Sequence, residues 1–288
     1  MANGYRVASW REIKKMRRDL LARFPQDRFL AKVLKGSMRV ARQRFNPLRG
    51  NLAAAGLREA VGHVLNSLAP DDEVRACVWF KQDKNTPTVT RRQRATYILQ
   101  AGLPAAFVKT DLHVDVKAHT DPLIDAMDNL NKATHVREDT LLTKGEAIRE
   151  MFEEVLVGID ELMDAAQDSR RDVEHALAEV LHNAVLENLI SEAIQELDEL
   201  STHTAVDYHM LNSIDVEEMT AKEITYRLTG DVYVELQYGS NSDVANDIGF
   251  RTSDSYPYEA TLTSDISDPK TIDADDIDLK VDNSSFFE

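Results

Sequence analysis

An α+β fold, helical in front and closing on a small, mostly antiparallel sheet, is predicted by three observations. Apolar residues recur at helical spacing over most of the chain up to Thr202, the period drops from 3.6 to 2 beyond it, and no proline occurs between Pro122 and Pro257. The proline-free span suits long helices followed by paired strands.

The front of the chain reads as three short helices. From Ala8 to Phe24, Trp10, Ile13, Leu20, Leu21 and Phe24 share a face amid Arg11, Lys14, Lys15, Arg17 and Arg18, and Pro25 ends the run. Asp27 is placed to cap a second helix striped by Phe29, Leu30, Val33, Leu34, Met38 and Ala41, with Lys32, Lys35, Arg39 and Arg42 outside; a third runs from about Leu52 to Leu68. Pro70-Asp71-Asp72 reads as a turn and Val74 to Phe80 as a buried strand. After the Lys81 to Pro87 loop, Thr90 opens a basic helix that closes at Gly102; Pro104 to Val108 is a helical turn, and Thr120 to Asn131 another helix.

The longest helical pattern lies between Thr143 and Thr202. Ile148, Met151, Phe152, Val155, Leu156, Ile159 and Leu162 form one stripe, and Val173, Leu177, Val180, Leu181 and Val185 a second. Thr143 to Glu146 and Ser169 to Asp172 have capping-box spacing, so the break at Gln167-Asp168 predicts a long antiparallel helical hairpin. Further on, Asn212 to Val216, Ile224 to Tyr238 with Gly230-Asp231 as a bulge or turn, Tyr256 to Leu262 and Asp276 to Val281 are strands, with a turn-forming loop at Gly239 to Asp243. The expected domains are a basic helical segment 1–69, a mainly helical domain 70–202 with one strand and the hairpin, and a β domain 203–288 with an acidic segment from Asp265 to Asp282.

A chain of 288 residues, 43% hydrophobic, can bury a real core, and no stretch has the length and apolarity of a signal peptide or membrane span. A soluble cytoplasmic protein is expected. The single cysteine, Cys77, excludes a disulfide framework and a thiolate zinc cluster. The net charge of −16 is unevenly spread: residues 1–60 carry 15 Lys+Arg against 4 Asp+Glu, or +11, leaving 19 against 46, or −27, for the rest. The basic front suits a nucleic-acid backbone, and equally the acidic part of its own chain or of a partner. An acidic body that acted on nucleic acid would need Mg²⁺ or basic residues to intervene.

Several constellations carry possible chemistry. Arg91, Arg94 and Tyr97 share one helix face and could hold a phosphate, while a solvated cationic helix start explains the same letters. Arg170 and His175 have the R-x4-H spacing found in HEPN-type helical ribonucleases, although five residues of one helix turn about 500°, so the pair would point about 140° apart. His175, Glu179 and His182 share a face with metal-ligand residue types, but a polar outer face offers no shaped site. Asp231 and Glu235 alternate onto one strand face, and Asp215 precedes them on a neighbouring strand candidate. This is a loose echo of a metal-dependent nuclease core, with Gln237 in place of its usual lysine; the polar outer face of a sheet accounts for the same pattern.

The strings Gln237-Tyr238-Gly239-Ser240-Asn241-Ser242-Asp243-Val244, Tyr256-Pro257-Tyr258 and Val281-Asp282-Asn283-Ser284-Ser285-Phe286 resemble the predicted nuclease family associated with prokaryotic PIWI-module (Argonaute-like) conflict systems. Thr90-Arg91-Arg92-Gln93-Arg94 and Thr134-His135-Val136-Arg137-Glu138 are similar to it too. The resemblance spans about Val74 to Glu288. It implies an accessory protein of bacterial antiphage defence that cuts nucleic acid, and it brings no catalytic set residue by residue.

The expectation is therefore a nuclease or nuclease-like effector. Asp215, Asp231 and Glu235 would hold Mg²⁺ or Mn²⁺, with Asp231, Glu235, His135 and Arg137 catalytic and Asn241 and Asp243 at the rim. Lys14, Arg17, Arg18, Arg91 and Arg94 would contact nucleic acid. A non-catalytic scaffold subunit that binds nucleic acid and a partner, and a HEPN-like metal-independent ribonuclease, are the alternatives. Protein partners in a defence complex, or a second copy of the chain, and no membrane, complete the expectation.

Overall fold

The computed structural model describes residues 6–84, 86–273 and 276–287. Met1 to Tyr5 of the leading segment, Asn85 of the Lys81 to Pro87 loop, and Ala274 and Asp275 of the acidic segment lie outside the described residues. The fold is α+β and divides into two compact units, one of Met1–Ala76, Phe80–Ala101 and Val114–Ser169, the other of Cys77–Trp79, Gly102–His113 and Arg170–Glu288. No helix among the described residues is long and apolar enough to cross a membrane.

The first unit is helical. Helix α1 (Trp10–Arg23) opens with a capping box between Ser9 and Glu12, and α2 (Arg28–Ala41) with Asp27, whose carboxylate accepts the Leu30 N–H at 2.8 Å. Helix α3 (Arg49–Leu68) buries Leu57, Val61, Val64 and Leu65 against the apolar face of α2. The expected strand at Val74 to Phe80 is instead the end of α4 (Asp71–Ala76) and a turn. Asp71, Asp72 and Glu73 fill its first turn, where the helix dipole favours acids. The short apolar run after them fits a buried helix as well as a strand.

Helix α5 (Arg91–Gln100) starts on a Thr90–Gln93 capping box. Helix α7 (Val116–Thr134) begins a turn before the expected Thr120, because Asp115 accepts the N–H groups of Lys117 and Ala118 at 3.0 and 3.2 Å and so caps it. The start of α8 (Gly145–Ser191) closes the core with Ile148, Phe152, Val155 and Ile159, and Trp10 packs edge-on to Phe152 with ring centroids 5.5 Å apart. Buried Asn51 fastens the turn after α7: its amide donates to the Ala133 and Thr140 carbonyls at 2.7 and 2.8 Å and its oxygen accepts the Leu142 N–H at 3.1 Å.

The predicted hairpin is not formed: α8 is one helix of 47 residues, helical straight through Gln167-Asp168. Its buried positions Ile159, Leu162, Ala165, Ser169, Val173, Leu177 and Leu181 continue one stripe at steps of three and four. Ser169 occupies a place on that stripe, and a polar letter there breaks the apolar pattern without breaking the helix.

The second unit carries α6 (Ala105–Thr110), the Arg170–Ser191 stretch of α8, α9 (Gln195–Asp198) and one four-stranded antiparallel sheet of order β1-β2-β3-β4. The strands are β1 (His203–Met219), β2 (Glu223–Tyr238), β3 (Phe250–Asp265) and β4 (Ile277–Val281), and a one-turn helix α10 (Asn241–Ala245) links β2 to β3. Even-numbered residues from Ile224 to Leu236 and from Tyr256 to Leu262 bury one face, apart from Gly230 only side chains with apolar bodies. The bulge expected at Gly230-Asp231 is not on β2, which runs in register through them against β3; the β1 ladder does shift beside Gly230, but the extra residue there, Asn212, is on β1. The irregularities fall on β1, between Val206 and Tyr208, Leu211 and Ser213, and Val216 and Glu218, as suits an edge strand.

Candidate functional site

Within the second unit the α8 stretch lies along β1, and between them is an open cavity of about 520 Å³ lined by Glu174, His175, His182, His209, Asn212 and Ser213 with apolar neighbours. Helical geometry puts His175 and His182 there together: seven residues are close to two turns, so both project from one side of α8, about 10.5 Å apart along its axis. The sheet supplies the third imidazole. His209 pairs with Val232 in the ladder and turns inward from β1, 3% exposed.

His209 is held on every side. Its ring stacks on His182 with centroids 4.1 Å apart and planes 15° from parallel. Nε2 lies 3.0 Å from the His182 carbonyl and Nδ1 2.8 Å from the Tyr258 hydroxyl. A carbonyl only accepts, so Nε2 carries the proton and the neutral ring accepts the Tyr258 hydroxyl at Nδ1. Burial holds the His209 pKa below the ordinary histidine value and a charge on His182 lowers it further, while the bond to the carbonyl opposes both. Burial first, and the nearby Asp231 carboxylate second, push the Tyr258 hydroxyl up, so it stays a donor at neutral pH. Glu174 accepts the Val216 N–H at 3.0 Å and ties α8 to the edge of β1.

The arrangement thus has an inner pair, His209 and Tyr258, that is buried and neutral, and an outer pair, exposed His175 and half-buried His182, that meets the cavity. Imidazoles are the side chains best matched to moving protons near neutral pH, and two on one side of a cavity can serve as base and acid in one reaction.

The carboxylates singled out in the sequence do not assemble. Asp215 is opposite Arg227 in the ladder, and Glu235 lies eight residues further along β2, about 26 Å away. Asp231 is about 13 Å from Glu235 along the same strand, whereas ligands of one ion sit about 2 to 2.6 Å from it. Asp231 accepts from Asn212 at 2.8 Å and Glu235 pairs with Arg251 at 3.1 Å. These three residues do not fit one Mg²⁺ or Mn²⁺. Among the described residues no group of three or more His, Cys, Asp or Glu side chains is placed to hold a metal ion. Glu179 of the sequence-level His175–Glu179–His182 face does not line the cavity.

Two family models match the chain, over residues 21–159 and 166–287, and both are described as predicted pPIWI-associating nuclease. The chain belongs to that family. No curated protein and no solved structure matches it. The two matches meet within α8, close to where the two compact units divide at Ser169 and Arg170.

The other expected site residues of this member of the predicted pPIWI-associating nuclease family are distributed as follows. Asn241 accepts from Gln237 at 3.0 Å, and Asp243 closes a capping box with Ser240, whose hydroxyl and N–H hold its carboxyl below the usual range; both serve the turn into α10. In the first unit, His135 and Arg137 are exposed in the turn after α7, where the Thr140 hydroxyl accepts the Arg137 N–H at 2.9 Å and donates to the His135 carbonyl. Arg94 is only 7% exposed and bonds the Ala69 carbonyl and Asp71, while Tyr97 donates to Glu73 at 2.9 Å. The proposed phosphate face of Arg91, Arg94 and Tyr97 is therefore reduced to exposed Arg91. Lys14 and Arg18 are exposed on α1, and Arg17 is half-buried with its Nε lacking a hydrogen bond.

Arg170 and His175 diverge on the continuous helix, as the angle between them requires, and both are exposed. Arg171, four residues before His175, shares its side of α8 by helical spacing without lining the cavity; the R-x4-H pattern pointed one position away from it. His209 and Tyr258 carried no local signal, because each is one letter of an alternating strand whose meeting with α8 is tertiary.

Proposed function

We propose that this chain is the nucleolytic effector of a PIWI-module antiphage defence system and cleaves RNA with imidazole general acid–base chemistry at the α8–β1 cavity. The observation that carries the reading is the convergence of His175, His182 and the stacked, Tyr258-anchored His209 in one cavity of a chain from a predicted nuclease family. One outer imidazole takes the proton of a 2′-hydroxyl, whose oxygen attacks phosphorus; the P–O5′ bond breaks and the other imidazole protonates the departing oxygen. The products are a 2′,3′-cyclic phosphate and a 5′-hydroxyl. His209 and Tyr258 act as positioning residues: they fix the His182 ring by stacking and keep the wall behind it neutral. Arg171, one turn before His175 on the same side of α8, brings positive charge to an otherwise acidic surface.

The test is cleavage of matched RNA and DNA strands by the full chain, with and without a chelator. RNA is expected to be cut in chelator and DNA to be spared, and His175→Ala or His182→Ala should each lower the rate by about a hundredfold or more. Dependence on Mg²⁺, or full activity in both variants, overturns this reading. No cleavage of either strand favours the non-catalytic binding subunit.

A further inference from the structure

From Arg28 to Arg58 the chain has eight Lys+Arg and no Asp or Glu, a run of 31 residues in a protein whose net charge is −16. Helix α2 organises the first part of that run. Leu30, Leu34, Ser37, Met38 and Ala41 are buried, and on the opposite side Arg28, Lys32, Lys35, Arg39 and Arg42 follow one another at steps of four, three, four and three. All five are exposed, and among the described residues of the first unit none of their side chains makes an ion pair or hydrogen bond. Arg23 of α1 shows the alternative fate of a basic residue here: it pairs with Asp160 at 2.9 Å and with Asp164. No such acid among those residues meets the α2 stripe.

The stripe is a straight line of charge about 21 Å long, the axial length of about six stacked nucleotides. At its end Phe45 is fully exposed in the loop after α2, between Arg44 and Asn46. Phe29 at the other end is half-exposed, its ring braced 4.7 Å from that of His63. A cationic track with free aromatic rings suits a strand whose bases are unpaired, because a duplex offers phosphates but no base faces to stack. An acidic protein would match the charge and leave Phe45 unused.

We infer that α2 is a docking track for single-stranded nucleic acid, its five cations following the phosphates and Phe45 stacking on a base. The inference rests on nucleic acid being the substrate class proposed above, and it is tested by binding alone, so that absence of cleavage does not bear on it. The full chain is titrated against labelled oligouridylate, oligothymidylate and a mixed-sequence duplex at low and at physiological salt. Lys32→Glu/Lys35→Glu/Arg39→Glu is expected to weaken binding at least tenfold and to flatten the salt dependence by about two units of log–log slope, about 0.7 for each phosphate left without its cation. Phe45→Ala should weaken the single strands about tenfold and leave the duplex unchanged. Unchanged affinity in the triple variant overturns the inference. So does tighter binding of the duplex than of either single strand, or an acidic polypeptide that competes while the oligonucleotides do not bind.

Discussion

Gly230 shows how closely the candidate site is built. A Cβ there would lie 2.3 Å from the Met210 carbonyl oxygen and 2.5 Å from the Tyr258 hydroxyl, so the absent side chain is the space through which Tyr258 reaches His209. One of these neighbours is backbone in a paired strand and cannot yield cheaply. Gly230→Ala should therefore cost about 1 to 3 kcal/mol in urea denaturation and reduce cleavage together with stability. An unchanged urea midpoint would mean that the ring has room to move aside. His209 makes a second prediction at this scale. Its folded pKa lies below the ordinary 6.5, so the unfolded chain binds more protons between the two values. The stability it contributes is complete above 6.5 and is lost as pH falls through that value toward the folded one. Lowering the buffer from about pH 7.5 to about pH 5 should lower the urea midpoint of the wild type by more than that of His209→Gln. Equal shifts in the two proteins would remove His209 as the cause.

The helices were legible where a stripe and a cap agreed. Asp27 and Thr90 cap the helices assigned to them, and the stripes on α1, α2 and α3 face the core they were expected to face, except for Phe29, which stands half-exposed against His63. Legibility failed where one letter had two readings. Ser169 with Asp172 has the spacing of a helix start, yet in α8 the serine is a buried step of a continuous stripe, its hydroxyl without a hydrogen-bond partner. Arg94 fits a phosphate contact, yet its guanidinium is spent on the Ala69 carbonyl and Asp71. The continuity of α8 separates the two arrangements experimentally. A proline at exposed position 167 would be absorbed by a hairpin turn at little cost. Inside a helix it removes an i→i−4 bond and clashes with the preceding turn, so Gln167→Pro should cost about 3 kcal/mol or more and lower helical circular dichroism. A variant with wild-type stability and ellipticity would argue for the hairpin.

Charge is segregated along the whole molecule, and this much was plain from composition. The surface chemistry that follows from it needed the structure, because only the fold shows which cations are spent. Residues 170–288 hold 7 Lys+Arg against 27 Asp+Glu, or −20. Part of that charge is paired: Arg227 bridges Glu217 at 2.7 Å and Glu259 at 3.4 Å, and Arg251 meets Glu235 at 3.1 Å, while Lys270 is spent on Asp111, outside this stretch. Such exposed pairs contribute about 0 to 1 kcal/mol each and weaken in salt. Against them stands the mutual repulsion of the many acids that have too few cations to pair with, which salt also screens. With acids outnumbering cations almost four to one, relief of repulsion outweighs the loss of a few exposed bridges. Added sodium chloride is therefore expected to raise the midpoint of thermal unfolding, by about 2 to 4 °C for each kcal/mol of repulsion removed. Scanning calorimetry across a salt series checks the sign. A midpoint that falls with salt would show that the Arg227 and Arg251 bridges outweigh the repulsion around them, and would give the outer face of the sheet a structural weight that its exposure alone does not indicate.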